Sequence, residues 1–319
     1  LITISTLEQL NAIRYNLAGT GLKMSPDDEP DASGCPARAV DGVLQRACWG
    51  YELAADLDFD TNGDGVLDEN DRYWNDGEGW EPIGTRSDSF TGVFEGNGHE
   101  VRNLMINRPL SDYLGLFGTT EGAEIRNLGL TGALMSVEGN SSVGALAGRT
   151  WGGAISASYS AGSVSAAGDS VGGLVGFVGH SSLEAVFSTA SVTGDSNVGG
   201  LVGYQTGTST IERSFATGFV SGTSSVGGLV GFRFESTIRE SYWATDASGQ
   251  ADSSGGTGAL LSELRCATAA DDSACAGTDL FVGWADSVDA AGNPYWVFGE
   301  DNQLPGLAFN GVVHRDSDG

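Results

Sequence analysis

Apolar positions in this chain come in short alternating runs bounded by Gly, Ser or Thr, and the runs recur on a fixed beat. Val143-Gly-Ala-Leu-Ala-Gly148, Val171-Gly-Gly-Leu-Val-Gly176, Val198-Gly-Gly-Leu-Val-Gly203 and Val226-Gly-Gly-Leu-Val-Gly231 are spaced by 28, 27 and 28 residues. Tyr113-Leu-Gly-Leu-Phe-Gly118 is a weaker first copy. A second segment keeps the same period: Ile155-Ser-Ala-Ser-Tyr159, Leu183-Glu-Ala-Val-Phe187, Ile211-Glu-Arg-Ser-Phe215 and Ile238-Arg-Glu-Ser-Tyr242. A third piece follows at Gly162–Ser165, Ala190–Thr193 and Gly218–Ser221. Three short β-type runs per period leave no room for helices, which need about ten residues each. They predict an all-β fold, a parallel β-solenoid (β-helix) with coils of 27–28 residues stacked about 4.8 Å apart. Glycines mark the corners, where backbones approach closely.

Stacking predicts ladders. Tyr159, Phe187, Phe215 and Tyr242 fall at one position per coil. Each ring follows an Ile or Leu by four residues in an alternating strand, which predicts an internal aromatic stack; a sugar-binding platform on the surface is the other reading. Glu212 should lie beside Arg239, and Arg213 beside Glu240, as register-setting pairs or as a catalytic cluster. Phe90–Ile106, alternating around Gly96-Asn97-Gly98, reads as a first coil. For the ends, Ser5-Thr-Leu-Glu8 matches a capping box, and Leu7, Leu10, Ile13 and Leu17 form one apolar helix face. Thr257–Arg265 reads as another short helix, and Trp296–Gly299 with Leu304–Leu307 as an irregular closing coil. The expected division is a capping helix region at 1–30, a disulfide and calcium-loop region at 31–89, the solenoid at 90–248 and a C-terminal cap at 249–319.

Charge narrows the function. Fifteen Lys and Arg against 42 Asp and Glu give a net charge of −27, and Lys23 is the sole lysine. So acidic a chain repels phosphate backbones, which excludes nucleic acid as a partner. No apolar run approaches the roughly 18 residues of a membrane span, so no membrane insertion is expected. At 40% hydrophobic residues the chain is too apolar for a solvated coil. Cys35 and Cys48, and Cys266 and Cys275, stand in short Gly-, Ala- and Asp-rich stretches without metal-knuckle spacing. They predict two local disulfides, Cys35–Cys48 and Cys266–Cys275, and an oxidising, extracellular setting.

One segment carries distinct chemistry. Asp60-Thr-Asn-Gly-Asp-Gly-Val-Leu-Asp-Glu-Asn-Asp71 fits a twelve-residue calcium loop. Asp60, Asn62 and Asp64 hold positions 1, 3 and 5, Gly65 the turn at 6, the Val66 carbonyl position 7, Asp68 position 9 and Asp71 position 12. A hard cation needs six to eight oxygens at about 2.4 Å, which this spacing gathers around one Ca²⁺. Asp71 is shorter than the usual Glu, and the flanks are not long helices, so a structural site is expected rather than a sensor. His99, His180 and His314 are scattered, and neither H-E-x-x-H nor G-x-S-x-G occurs, so no catalytic residue is assigned.

The Val-Gly-Gly-Leu-Val-Gly-(Phe/Tyr) repeats resemble the GLUG-motif family of bacterial surface proteins over roughly residues 110–248. Ile4–Tyr15, Tyr51–Asp58 and Phe94–His99 look like the usual context of such repeats. The resemblance implies a secreted or cell-surface protein, often an adhesin; the motif is also found in non-catalytic regions of immunoglobulin A1 proteases. It transfers no catalytic residues. The expected function is a non-catalytic, calcium-stabilised adhesive module, with surface glycans or another cell's surface as partners. The alternative is a carbohydrate-active β-helix, a polysaccharide lyase or hydrolase. Joined end to start, Asp316–Gly319 and Leu1–Ser5 read as an Asp-rich turn entering a strand, so head-to-tail neighbours of the same chain, in an array or filament, are also expected.

Overall fold

The computed structural model describes residues 1–40, 43–269, 280–299, 302–309 and 311–315. It is a parallel β-solenoid of short strands. Each full coil carries five strands rather than three runs. One coil comprises Ala147–Trp151, Ala154–Ser156, Tyr159–Ser160, Ser163–Ala166 and Asp169–Gly172. The difference arises inside the Val-Gly-Gly-Leu-Val-Gly segment. A corner splits it, so its first half ends one strand and its second half begins the next.

Register follows the repeat. Ile125, Ile155, Leu183, Ile211 and Ile238 sit on consecutive rungs. So do Val143, Val171, Val198 and Val226. Except in the last coil these residues are fully buried. Apolar ladders therefore run the length of the interior, each Val, Leu or Ile contributing about 1.5–3 kcal/mol on burial. The coil's corner amides are met by a serine ladder. Hydroxyls of Ser158, Ser214 and Ser241 accept from the N–H groups of Leu128, Val186 and Ser214 and donate to the carbonyls of Ser156, Glu212 and Arg239. Buried serines here satisfy backbone groups that lie off the strand ladders.

The parallel ladder begins before Phe90. Ile2–Ile4 pairs with Gly50–Leu53, which pairs with Val93–Glu95, placing Ile2, Tyr51 and Phe94 in one column. The helix at Leu7–Ala12 closes this end and continues as a 3-10 turn over Ile13–Tyr15. Its N-cap is Thr6, one residue later than Ser5, and no reciprocal bond to the N-cap N–H forms. The Thr6 hydroxyl accepts from Gln9 N–H, and the Gln9 side chain accepts from Ser5 N–H. The Thr6 frame buries Leu7, Leu10 and Ile13 and leaves Glu8 to pair with Arg72. Cys35 and Cys48 form the expected disulfide, beside the antiparallel pair Ala37–Val40 and Val43–Arg46. The Cys266–Cys275 pairing falls on Cys275, which lies outside the described residues, as do Asp316–Gly319.

The C-terminal segment departs most from expectation. Thr257–Ala259 is a strand, not helix; it extends the sheet beside Tyr242–Ala244, and only Leu261–Leu264 is helical. Trp296–Val297, Gly306–Phe309 and Val312–His314 form an antiparallel sheet. This sheet, with the segment 280–295 that leads into it, runs back along the flank of the solenoid as a strap, so that Phe309 lies against Gly98 and His314 against Tyr159, two early-coil positions.

Candidate functional site

The loop Asp60–Asp71 is built on its own carboxylates. Asp60 accepts from the N–H groups of Gly63, Asp64 and Gly65. Asn62 donates to Asp64, which accepts from Val66 N–H, and Asp68 accepts from Asn70 N–H. Asp71 is buried, and its two oxygens accept from Thr61 N–H, Thr61 Oγ1, Asn62 N–H and Asp68 N–H. Burial alone would raise its pKa, but these hydrogen bonds outweigh it and hold the carboxyl below its ordinary value. The all-oxygen donor set suits a hard cation. Among the described residues, no three Asp, Glu, His or Cys side chains converge on one point. Asp71 as placed clamps the two ends of the loop, and Asp60, Asn62, Asp64, the Val66 carbonyl and Asp68 are the groups that could turn toward an ion.

The charge ladder forms in the expected register. Glu212 pairs with Arg239 at 3.2 Å and Arg213 with Glu240 at 3.1 Å, and Glu184 joins at 3.0 Å from Arg213. The same cluster anchors the strap. Arg213 donates to the Gly283 carbonyl, its own carbonyl accepts from Trp296 Nε1, and Ser287 donates to Glu184.

The strap explains the aromatic ladder. Tyr159, Phe187, Phe215 and Tyr242 lie in register, and the first three rings stack near-parallel; Phe187 and Phe215 have centroids 4.9 Å apart at 5°. These rings are buried, but outside the coil. Their alternate neighbours Val186 and Ala216 belong to the solenoid interior, whereas the rings pack in a separate core with Phe281, Trp284 and Trp296. The expected internal stack is thus corrected: it is an outward ladder covered by the chain's own strap. Trp284 and Trp296 stand 6.4 and 5.6 Å from Phe215. At the far end Tyr159 donates to Glu100 Oε1 at 2.6 Å, so Nδ1 of His314, 3.0 Å from the same hydroxyl, carries the proton of that contact. The His314 contact, with the bonds from Tyr159 and Arg102, holds the Glu100 carboxyl well below the ordinary carboxylate range against the effect of burial.

A second outward ladder was not read from the sequence. Phe177, Tyr204 and Phe232 occupy one column of another sheet, behind Arg149. Trp151 joins it by lying across Gly179 of the next coil, where a Cβ would come within 2.3 Å of the indole. Its signal is plain in retrospect, since an aromatic residue follows Val-Gly at Val175-Gly-Phe177, Val202-Gly-Tyr204 and Val230-Gly-Phe232.

The model of the family described as the GLUG motif matches residues 194–221. This chain carries the GLUG motif. The matched GLUG stretch spans one solenoid coil, from Gly194 to Ser221. A candidate Gly-rich membrane protein of Evansella cellulosilytica is 40% identical over 118 residues, covering 36% of this chain and 13% of that protein. Halomucin of Haloquadratum walsbyi is 33% identical over 147 residues, covering 45% of this chain and 2% of that protein. The GLUG chain therefore corresponds to a small part of either relative. A solved structure from Bacteroides ovatus, described as a candidate immunoglobulin A1 protease, superposes with a TM-score of 0.55 at 17% identity, covering 93% of this chain and 91% of that one. That likeness concerns the fold alone. Among the described residues no helix is long and apolar enough to cross a membrane. The relatives' names are compatible with a cell-surface or extracellular protein.

Proposed function

We propose that this chain is a non-catalytic structural and adhesive module of a secreted or cell-surface protein. The observation that carries the reading is the fate of the Glu184/Glu212/Arg213/Arg239/Glu240 cluster. A polysaccharide lyase of this fold class would need acids and a cation on successive coils free to meet substrate. Here each acid is tied to an arginine, and Arg213 and Glu184 also hold the strap. Incubation of the chain with pectate, alginate and hyaluronan should yield no unsaturated uronate product, while beads coated with it should adhere to cell surfaces. Accumulation of such product would return the carbohydrate-active reading.

Calcium belongs to the same proposal, with Asp60, Asn62, Asp64, Val66, Asp68 and Asp71 ordering the loop beside the first coils. At a free concentration one hundred times the dissociation constant, bound Ca²⁺ would add about 2.7 kcal/mol to stability. Chelation should lower the melting temperature, and Asp60→Ala should abolish that response; an unchanged melt would sink the site. Head-to-tail association of copies is the further part. It is supported by Thr237–Arg239, which ends its sheet among the described residues, because unpaired edges invite further strands; Val230–Phe234 also ends its sheet, but Ser253 and Ser254 already meet the backbone of Val230. Sedimentation showing only single particles at high concentration would remove it.

A further inference from the structure

The uncovered aromatic column is a repeating surface with one rung per coil. Trp151 and Phe177 have centroids 6.3 Å apart at 17°, Phe177 and Tyr204 5.1 Å at 12°, and Tyr204 and Phe232 5.4 Å at 21°. Carbon atoms in contact stand about 3.5–4.0 Å apart, so rings this far apart in near-parallel planes are slipped like roof tiles. The first three rings are half-buried and Phe232 is exposed, with Phe234 beside it at 52% exposure. Hydrogen-bonding side chains flank the column: His180, with its ring edge on Trp151 and its Nδ1 3.3 Å from Thr208 Oγ1, and the Tyr204 phenol.

Cations head the column. The Arg149 guanidinium lies 4.7 Å from the Trp151 centroid and 5.9 Å from that of Phe177, and it makes no ion pair among the described residues. Burial, and after it the charge of Arg86, disfavours the charge of Arg149, while the Glu121 carboxylate on the rung below Trp151 favours it. Arg86 stacks 5.5 Å from Tyr113 and likewise makes no ion pair among the described residues. This contrasts with Arg102, Arg126, Arg213 and Arg239, all paired with acids. In a chain of net charge −27, two stacked guanidiniums that make no ion pair, with Glu121 acting on Arg149 only from beyond salt-bridge distance, mark a place prepared for an external anionic group.

We propose that the column Trp151–Phe177–Tyr204–Phe232 binds an extended, carboxylate-bearing hexopyranose chain laid along the solenoid axis, its sugar C–H faces on the tiled rings and a carboxylate on Arg149. This deepens the adhesive reading and rests on it. The linear, coil-by-coil spacing favours a ligand that repeats in small steps. An extended peptide is a poorer fit, because its same-face side chains recur only every 6.6–6.8 Å or so. The acidic surface elsewhere repels a polyanion, so binding is a contact effect best seen near 0.15 M salt, where distant charges are screened within about 8 Å.

The test is calorimetric titration of the full chain with hexamers of β-1,4-mannuronate, β-1,4-glucose and L-glutamate. The mannuronate hexamer should bind. The Phe177→Thr/Tyr204→Thr/Phe232→Thr variant, which extends the Thr119 already present in this column, should melt like the parent and lose at least tenfold in association. Arg149→Gln should weaken mannuronate several-fold and leave any glucose binding unchanged. Undiminished mannuronate binding by the triple variant, or no hexose binding by the parent, overturns the inference. Glutamate binding in place of hexose overturns it in favour of an acidic peptide. Bead adhesion separates the two readings. If parent and triple variant adhere alike, the adhesive reading stands and the ladder assignment falls. If the hexamer binds through the ladder but beads do not adhere, the ladder assignment stands and the adhesive reading falls.

Discussion

Two aromatic ladders climb two separate sheets of one solenoid, and their fates differ. Tyr159, Phe187, Phe215 and Tyr242 are buried; Phe177, Tyr204 and Phe232 are half-buried or exposed. Both point away from the coil interior, both place one ring per coil, and both begin with a ring laid over a glycine, Tyr159 over Gly129 and Trp151 over Gly179. The sheet therefore does not decide burial. The strap does, by bringing Trp284 and Trp296 onto one ladder and leaving the other bare. An outward ladder becomes a core or a surface according to what a distant part of the chain lays on it.

The contrast can be broken most forcefully at Phe215. Phe215→Ala removes a ring held between Phe187, Trp284 and Trp296, and should cost about 3–5 kcal/mol in a denaturant melt. A loss near zero would mean the strap does not cover this ladder in solution. A smaller loss is expected at the strap's far latch. Glu100→Gln weakens charge-assisted bonds from Tyr159 and Arg102 and should cost about 1.5–3 kcal/mol at neutral pH. The folded-state pKa of Glu100 is depressed below an unfolded value of about 4.3, so its contribution is complete above that pH and fades as pH falls through the folded value. Melts at pH 7 and pH 3 should show an acid loss in the parent that is reduced in Glu100→Gln; equal acid losses would assign it elsewhere. The smallest effect belongs to the bare ladder. Tyr204→Thr, at a half-buried rung where Thr119 already stands in the first coil, should shift stability by less than about 1 kcal/mol. A loss comparable to Phe215→Ala would show that this column too is covered.

The coil was legible because it repeats. Val143, Val171, Val198 and Val226 announce themselves at one period, and so do the charge pairs Glu212–Arg239 and Arg213–Glu240. The strap was not legible for the converse reason. Trp284, Trp296 and His314 recur at no period, and their partners lie tens to more than a hundred positions upstream, joined by contacts that no local pattern encodes. The rings were misplaced for a local reason: a corner with left-handed backbone at Ala157, Ala185, Arg213 and Glu240 separates each Ile or Leu from its ring, so the count of four crosses from one strand to the next and alternation does not carry over. At the N-terminus two capping frames overlap in Ser5–Gln9, and the choice of Thr6 was made by the burial of Leu7, Leu10 and Ile13. In the Asp60–Asp71 loop, the use of Asp71 as a clamp on Thr61, Asn62 and Asp68 depends on hydrogen bonds that only the folded loop reveals.

The strap also acts as a ruler on how the chain can grow. It grips Tyr159 through His314 and Phe215 through Trp296, two rungs apart. Tandem duplication of a coil between those grips, for instance residues 175–201, would part them by a further 4.8 Å or so. The stretch from Trp296 to His314 spans one fixed distance, so either the latch at Glu100 or the tryptophan contact would be lost. Repeat number in this middle section is held constant by a segment that contains no repeats, and duplications that preserve both grips must be accompanied by a lengthened strap.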